Sequence, residues 1–387
     1  MLKWLVKYGA LICVLNTILQ NIEKKMPYPL SVLADVGDYI FLFLMFVFSF
    51  IILVNPELIR RVIFHKAFGF LVLINFLNLL YFIFMHNIHD REAIEFMLAR
   101  GVQFSLFSIS IYYNINYYKN VFFLHVSYAI FLMILVGLIV EPNIFSGRYQ
   151  GITVNPNMLG AFSCLGFSIL FLHESKKSNL QLFMLFIFFI ISFASGSRAI
   201  LVGIMLAFLF KYGFSIKNLG FGVFGVLLFL LVVNLQLETS INRYASQGLL
   251  GDRILQYEYG LKTFLNKPWL GYGLDKYSYI DKDLVPINLR GPIKGAHNGY
   301  LAFLVQYGLI FGGIIISIIF YKSTVLLHNF YRKKGNEVIY LFIISFALIS
   351  SLFESLITGI NAFHTILFWF ALSFLSYTNY LNENKYN

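Results

Sequence analysis

The chain has 387 residues, 59% of them hydrophobic and only 12% charged, with a mean hydropathy of +0.76. That is roughly half the charge of an average soluble domain, so the composition excludes a water-soluble globule and places the chain in a bilayer. The formal charge of +11 then asks which side of the membrane holds the Lys and Arg, before it asks anything about nucleic acid.

Apolar stretches long enough to cross a hydrocarbon layer run over about 4–20, 38–54, 67–85, 93–113, 120–140, 156–173, 179–195, 199–216, 219–236, 297–321, 338–357 and 362–380. This predicts an all-α polytopic membrane protein of about twelve transmembrane helices, a single membrane domain over 1–387. No small-residue cleavage site follows the first stretch, which reads as a retained helix and not a signal peptide. With the amino terminus inside, Lys3, Lys7, Arg60, Arg61, Lys119, Lys176, Lys177 and Lys211 fall on the cytoplasmic side. The short outer loops hold only Lys24, Lys25, Arg91, Arg148 and Arg198. The positive-inside rule favours this orientation, with both termini cytoplasmic, and nucleic acid has no place in the account. Cys13 and Cys164 lie inside apolar stretches, so neither a disulfide framework nor a Cys-rich metal site is expected.

Taken in chain order, the first residue of chemical interest is Arg100, inside the fourth apolar segment. A charge there calls for a partner or a watery cavity, and Glu92 and Glu95 precede it; a structural ion pair and a shallower placement are the competing readings. Arg148 precedes Asn155-Pro156-Asn157, which reads as a helix start with Asn155 as cap and Pro156 at the first turn. Such an end also presents free N–H groups to an anion. Arg198, in Ser195-Gly196-Ser197-Arg198, occupies a tight outer turn, where it either reaches to headgroups or binds a ligand.

Residues 237–296 form a stretch far too long for an ordinary helix connection, and they predict a large extracytoplasmic loop between the ninth and tenth helices. Residues 252–265 within it have helical periodicity, with Ile254, Tyr257, Leu261 and Phe264 on one side. The loop ends at His297-Asn298-Gly299-Tyr300, where either Asn298 or His297 caps the tenth helix, or His297 serves as a general base. Glu354 and His364 are further intramembrane ionisable residues, able to pair with an arginine or to position it. The chain contains no G-x-x-x-x-G-K-[ST], H-E-x-x-H or G-x-S-x-G motif. Outward-facing arginines with one histidine suit transfer from a diphosphate leaving group.

The ordered set of Arg148, Asn155-Pro156-Asn157, Ser195-Gly196-Ser197-Arg198, Gly251-Asp252-Arg253, Asn266-Lys267-Pro268-Trp269-Leu270-Gly271-Tyr272-Gly273, His297-Asn298 and Gly308 resembles the O-antigen ligase/polymerase superfamily. The resemblance covers about residues 140–320. It implies a bacterial inner (plasma) membrane glycosyltransferase acting on undecaprenyl-diphosphate-linked glycan, inverting and metal-independent, with no cofactor. It further implies His297 as the residue activating the acceptor hydroxyl, and Arg148, Arg198 and Arg253 as holders of the donor diphosphate. Asn298, Arg100 and Glu354 are candidates for support. The implied partners are the lipid-linked donor, a glycan acceptor and the bilayer, with a flippase and a chain-length regulator nearby. Phe311 departs from the residues usual after the His-Asn motif in ligases, which favours a repeat-unit polymerase over a ligase. A non-enzymatic transporter of lipid-linked sugars is the reading from another class, although internal repeats are lacking.

Overall fold

The computed structural model describes residues 2–144, 147–197, 199–213, 215–218, 220, 253–291, 293, 295–331 and 335–384, the side chains of residues 2 and 199 excepted. The span expected at 219–236, residue 220 apart, lies outside the described residues, and so do residues 237–252 of the expected loop and Arg198. Helices occupy Leu2–Gln20 (α1), Leu30–Val54 (α2), Gly69–Met85 (α3), Arg91–Asn120 (α4), Phe122–Val140 (α5) and Pro156–Leu172 (α6). They continue with Asn179–Ala194 (α7), Ala199–Tyr212 (α8), Arg253–Asn266 (α9), Gly299–Phe330 (α10), Glu337–Ser350 (α11) and Phe363–Glu383 (α12). Among the described residues, five stretches are long and apolar enough to cross a membrane: Leu30–Val54, Lys66–Met85, Arg91–Asn120, Phe122–Val140 and Gly299–Phe330. The chain is a membrane protein built of apolar helices.

Helix boundaries follow local chemistry. Asn155 accepts from the Met158 N–H at 2.9 Å, with Pro156 at the first turn of α6, and Ser178 and Gln181 form a reciprocal capping box at the start of α7. Asn298 accepts from the N–H groups of Tyr300 and Leu301, so the cap of α10 falls to Asn298 and leaves the His297 ring free for other work.

The last helix is the centre of the packing. Every residue of α12 from Phe363 to Thr378 is buried, because α12 packs against α1, α4, α10 and α11. Over this stretch no side of the helix faces lipid or water. Its hydroxyls are consumed internally: Ser373, Ser376 and Thr378 donate to the carbonyls of Trp369, Leu372 and Phe374.

The eleventh apolar segment ends earlier than expected. The sequence predicts helix through 357, whereas α11 stops at Ser350 and residues 351–362 form an irregular stretch before α12. Glu354 is therefore not an intrahelical residue.

The motif from Asn266 to Gly273 is architectural. Helix α10 breaks at Gly308, whose φ is +68°, and the chain at 268–273 pairs with the opened turn. The N–H groups of Tyr272 and Gly273 donate to Val305 and Gln306 at 2.9 and 3.1 Å. Those of Leu309 and Ile310 donate to Pro268 and Trp269 at 2.7 and 3.2 Å. A kinked helix frees backbone donors and acceptors that cost free energy if unpaired, and the motif supplies their partners. Both Gly308 and Gly271, with φ of +69°, leave no room for a Cβ against the facing backbone.

Gly308→Ala is expected to lower thermal stability sharply, through about 1–3 kcal/mol of backbone strain and a clash with the Trp269 carbonyl. Gly313→Ala, which meets nothing within 4 Å, is expected to be neutral in the same melt of the detergent-solubilised protein followed by size-exclusion chromatography.

Candidate functional site

Two polar clusters gather the residues singled out in the sequence. In the first, the Arg148 guanidinium donates through Nε to the Ser195 carbonyl at 3.2 Å and through Nη2 to Asn157 Oδ1. The Tyr149 N–H donates to the Ala194 carbonyl at 3.0 Å. Arg148, the Asn155-Pro156-Asn157 helix start and the Ser195-Gly196-Ser197 turn are thereby one structural unit. A side chain on Gly160 would meet the Ser195 hydroxyl and Ser197, so glycine at 160 is what lets that turn lie on α6.

The second cluster centres on Glu354. Its Oε2 lies 3.0 Å from His297 Nδ1, and its Oε1 accepts from Arg253 Nη2. His297 joins from the residue before the α10 cap, Arg253 from the first residue of α9, and Glu354 from the stretch after α11. The anchoring is dense. Leu352 offers its carbonyl to the Tyr257 hydroxyl at 2.7 Å and to Asn298 Nδ2 at 3.1 Å. The Ser351 carbonyl accepts from the Gly299 N–H at 2.7 Å. Ser278 and Ser355 share a hydrogen bond at 3.1 Å, and the Ala296 N–H donates to the Ser278 carbonyl. Among the described residues, the non-glycine residues with positive φ are Ser278 and His297, at 59° and 42°. Strain of about 1–3 kcal/mol at each such residue persists only where the surroundings over-determine the backbone.

Burial opposes ionisation of the Glu354 carboxyl, yet the hydrogen bond from His297 and the charge of Arg253 outweigh it and hold the carboxyl below its ordinary value of 4.5. An ionised carboxylate can only accept, so this hydrogen bond calls for a proton on His297 Nδ1, the tautomer that leaves Nε2 as the acceptor. The His297 side chain is 38% exposed and that of Glu354 21%. The ring thus backs onto a sheltered anion and faces an accessible side. The first cluster reaches α12 through Phe162 of α6, which packs on Phe363 at 4.5 Å between ring centroids and on His364 at 6.3 Å, and α12 directly follows the stretch that carries Glu354.

Residues 183–317 match the family model for O-antigen ligase. The match bears out the resemblance to the O-antigen ligase/polymerase superfamily, and it takes in Arg198, Arg253 and His297 while leaving Arg100, Arg148 and Glu354 outside. No curated protein matches the chain. The superfamily supports a function of the O-antigen ligase/polymerase type in general.

The ion-pair reading of Arg100 does not hold, and Arg253 meets Glu354, a pairing the sequence left open. Arg100 forms no pair with Glu92 or Glu95; Glu95 holds Arg91 at 2.7 Å, and Arg100 turns inward to the Gly359 carbonyl. Arg253 spends one arm of its fork on Glu354 in addition to any anion it meets. Ser278 and Gln103 escaped the sequence reading, and Tyr257 entered it only as part of the helical face of 252–265. Gln103 alone left a trace, lying one helical turn beyond Arg100 on the same face.

Because the Glu354 carboxyl is depressed, its ionised form stabilises the fold in full above about pH 4.5, and the contribution is lost as pH falls through the depressed value. Wild-type protein should lose thermal stability on acidification in that window more steeply than Glu354→Gln, which never has the contribution to lose. Parallel pH-dependent melts of the two proteins check this.

Proposed function

We propose that the chain is a membrane glycosyltransferase that polymerises undecaprenyl-diphosphate-linked oligosaccharide repeat units into a surface polysaccharide, at a site on the extracytoplasmic side of a bacterial inner membrane. The observation that carries this reading is the His297–Glu354 contact, with His297 Nδ1 3.0 Å from Glu354 Oε2. His297 Nε2 takes the proton of the acceptor hydroxyl as that oxygen attacks the anomeric carbon of the donor glycan. The bond from that carbon to the diphosphate breaks, and the diphosphate leaves with the electron pair. Glu354 stabilises the imidazolium that forms, the service a buried carboxylate performs for a histidine base.

Arginines act on the leaving group. Arg148 stands at the amino-terminal end of α6, where free N–H groups and the helix dipole favour an anion, and Arg253 and Arg198 add planar, permanently charged donors. Asn298 fixes the direction of the chain at His297 through its cap. The reading treats 1–387 as one membrane domain with the 237–296 segment as its outer loop, working beside a flippase and a chain-length regulator.

Glycan length on gels tests the assignment, in cells lacking the gene and complemented with wild type or His297→Ala. Single repeat units without the gene, rescued by wild type alone, are expected, with His297→Ala slowed by about 10²–10⁴-fold. Full-length polymer held on the lipid carrier with none on the final acceptor would make the protein a ligase. Full rescue by His297→Ala would remove histidine from the chemistry and favour a transporter.

A further inference from the structure

Arg100 sits within α4 and is 4% exposed. A guanidinium inside a spanning helix is costly unless it is paired or meets water, and among the described residues no carboxylate lies within ion-pair distance of it. An apolar side chain would fill the space at less cost, so a bulk stabilising role does not account for it. Its neighbours say what the charge is used for. Nη2 donates to the Gly359 carbonyl and Nη1 to Gln103 Oε1 at 3.2 Å, while Gln103 Nε2 donates to the Ile360 carbonyl at 2.9 Å. The rings of Phe96, Phe104 and Trp369 surround the guanidinium at 5.4–5.8 Å, a setting that favours a desolvated cation.

Gly359 and Ile360 lie in the irregular stretch that carries Glu354. Thr365 Oγ1 holds its middle through the carbonyls of Leu356 and Thr358 at 2.8 and 2.6 Å, and Ser278 holds Ser355 at 3.1 Å. The far end turns at Gly359, whose φ of +76° leaves the backbone little torsional restraint of its own. Arg100 and Gln103 are what hold that end. We propose that Arg100, acting with Gln103 through Gly359 and Ile360, is a positioning residue that sets where the 351–362 stretch delivers the Glu354 carboxylate to His297. The inference rests on the reading of His297 and Glu354 as the reacting pair. The groups facing Glu354 are His297 from the start of α10, Arg253 and Tyr257 from α9, and His364 from α12. Arg100 reaches it only through the backbone.

The test uses the full-length protein in lipid nanodiscs, with Arg100→Met, Gln103→Met, Arg100→Lys and Glu354→Gln. Transfer from a lipid-diphosphate-linked repeat unit is followed for kcat and KM. The Glu354 carboxyl is followed by infrared titration, its band identified by its loss in Glu354→Gln. Arg100→Met and Gln103→Met should each lower kcat, by up to about 10²-fold for a misplaced group, at nearly constant KM. Both should raise the pH at which the Glu354 band titrates, since the contacts that depress it loosen. Arg100→Lys, able to donate to one carbonyl, should recover part of both. A shifted band in Arg100→Met with none in Gln103→Met would make the effect one of charge and overturn the proposal. So would a rise in KM at unchanged kcat, which would place Arg100 on the substrate. If wild type transfers no glycan at all, the proposed function fails, and the infrared titration still decides whether Arg100 positions Glu354.

Discussion

A single carboxylate shared between a cation and a histidine organises the candidate site of this protein. Glu354 has two oxygens; one accepts from Arg253 and the other meets His297. Taking a carboxylate out of water is unfavourable unless its lone pairs are filled, so the presence of both partners is a condition for its being ionised there. That condition ties three remote parts of the chain together: the first turn of α9, the residue before α10 and the stretch after α11. It also dictates the histidine tautomer, and with it the nitrogen that faces outward.

The stretch that carries Glu354 would be a liability without the fold around it. Residues 351–362 are neither helix nor strand, so their carbonyls need partners from elsewhere. They find them in Gly299, Asn298, Tyr257, Thr365, Gln103 and Arg100. These donors come from α9, α10, α12 and α4, and a buried α12 stands at the centre of that assembly. An irregular backbone held on all sides gives a side chain a single position, which is what a histidine and its carboxylate need in order to act together.

The kink in α10 applies the same economy to backbone. Opening the helix at Gly308 frees groups that the 268–273 segment then satisfies, so the glycines at 271 and 308 answer a steric demand of two backbones in contact. The motif that first marks the chain as similar to a known superfamily is largely this joint. In this chain the motif serves to build α10, which carries His297 just ahead of its Asn298 cap.

Much of the architecture was legible in the sequence because it is local. Apolar runs set the helices, Asn155 and Asn298 mark helix starts through short-range cap chemistry, and the periodicity over 252–265 foretells α9. His297 and the arginines of the loops stand out by residue type and by position relative to the apolar segments. What the sequence by itself does not contain is which of these residues meet. Glu354 reads as part of an apolar helix until the end of α11 is seen at Ser350. Its partners lie 57 and 101 residues away, and the carbonyl that holds Arg100 lies 259 residues away. Local periodicity and capping act over a few residues and are written in the chain; pairings across such separations depend on how the buried α12 brings α4, α10 and α11 together, and only the packed structure decides them.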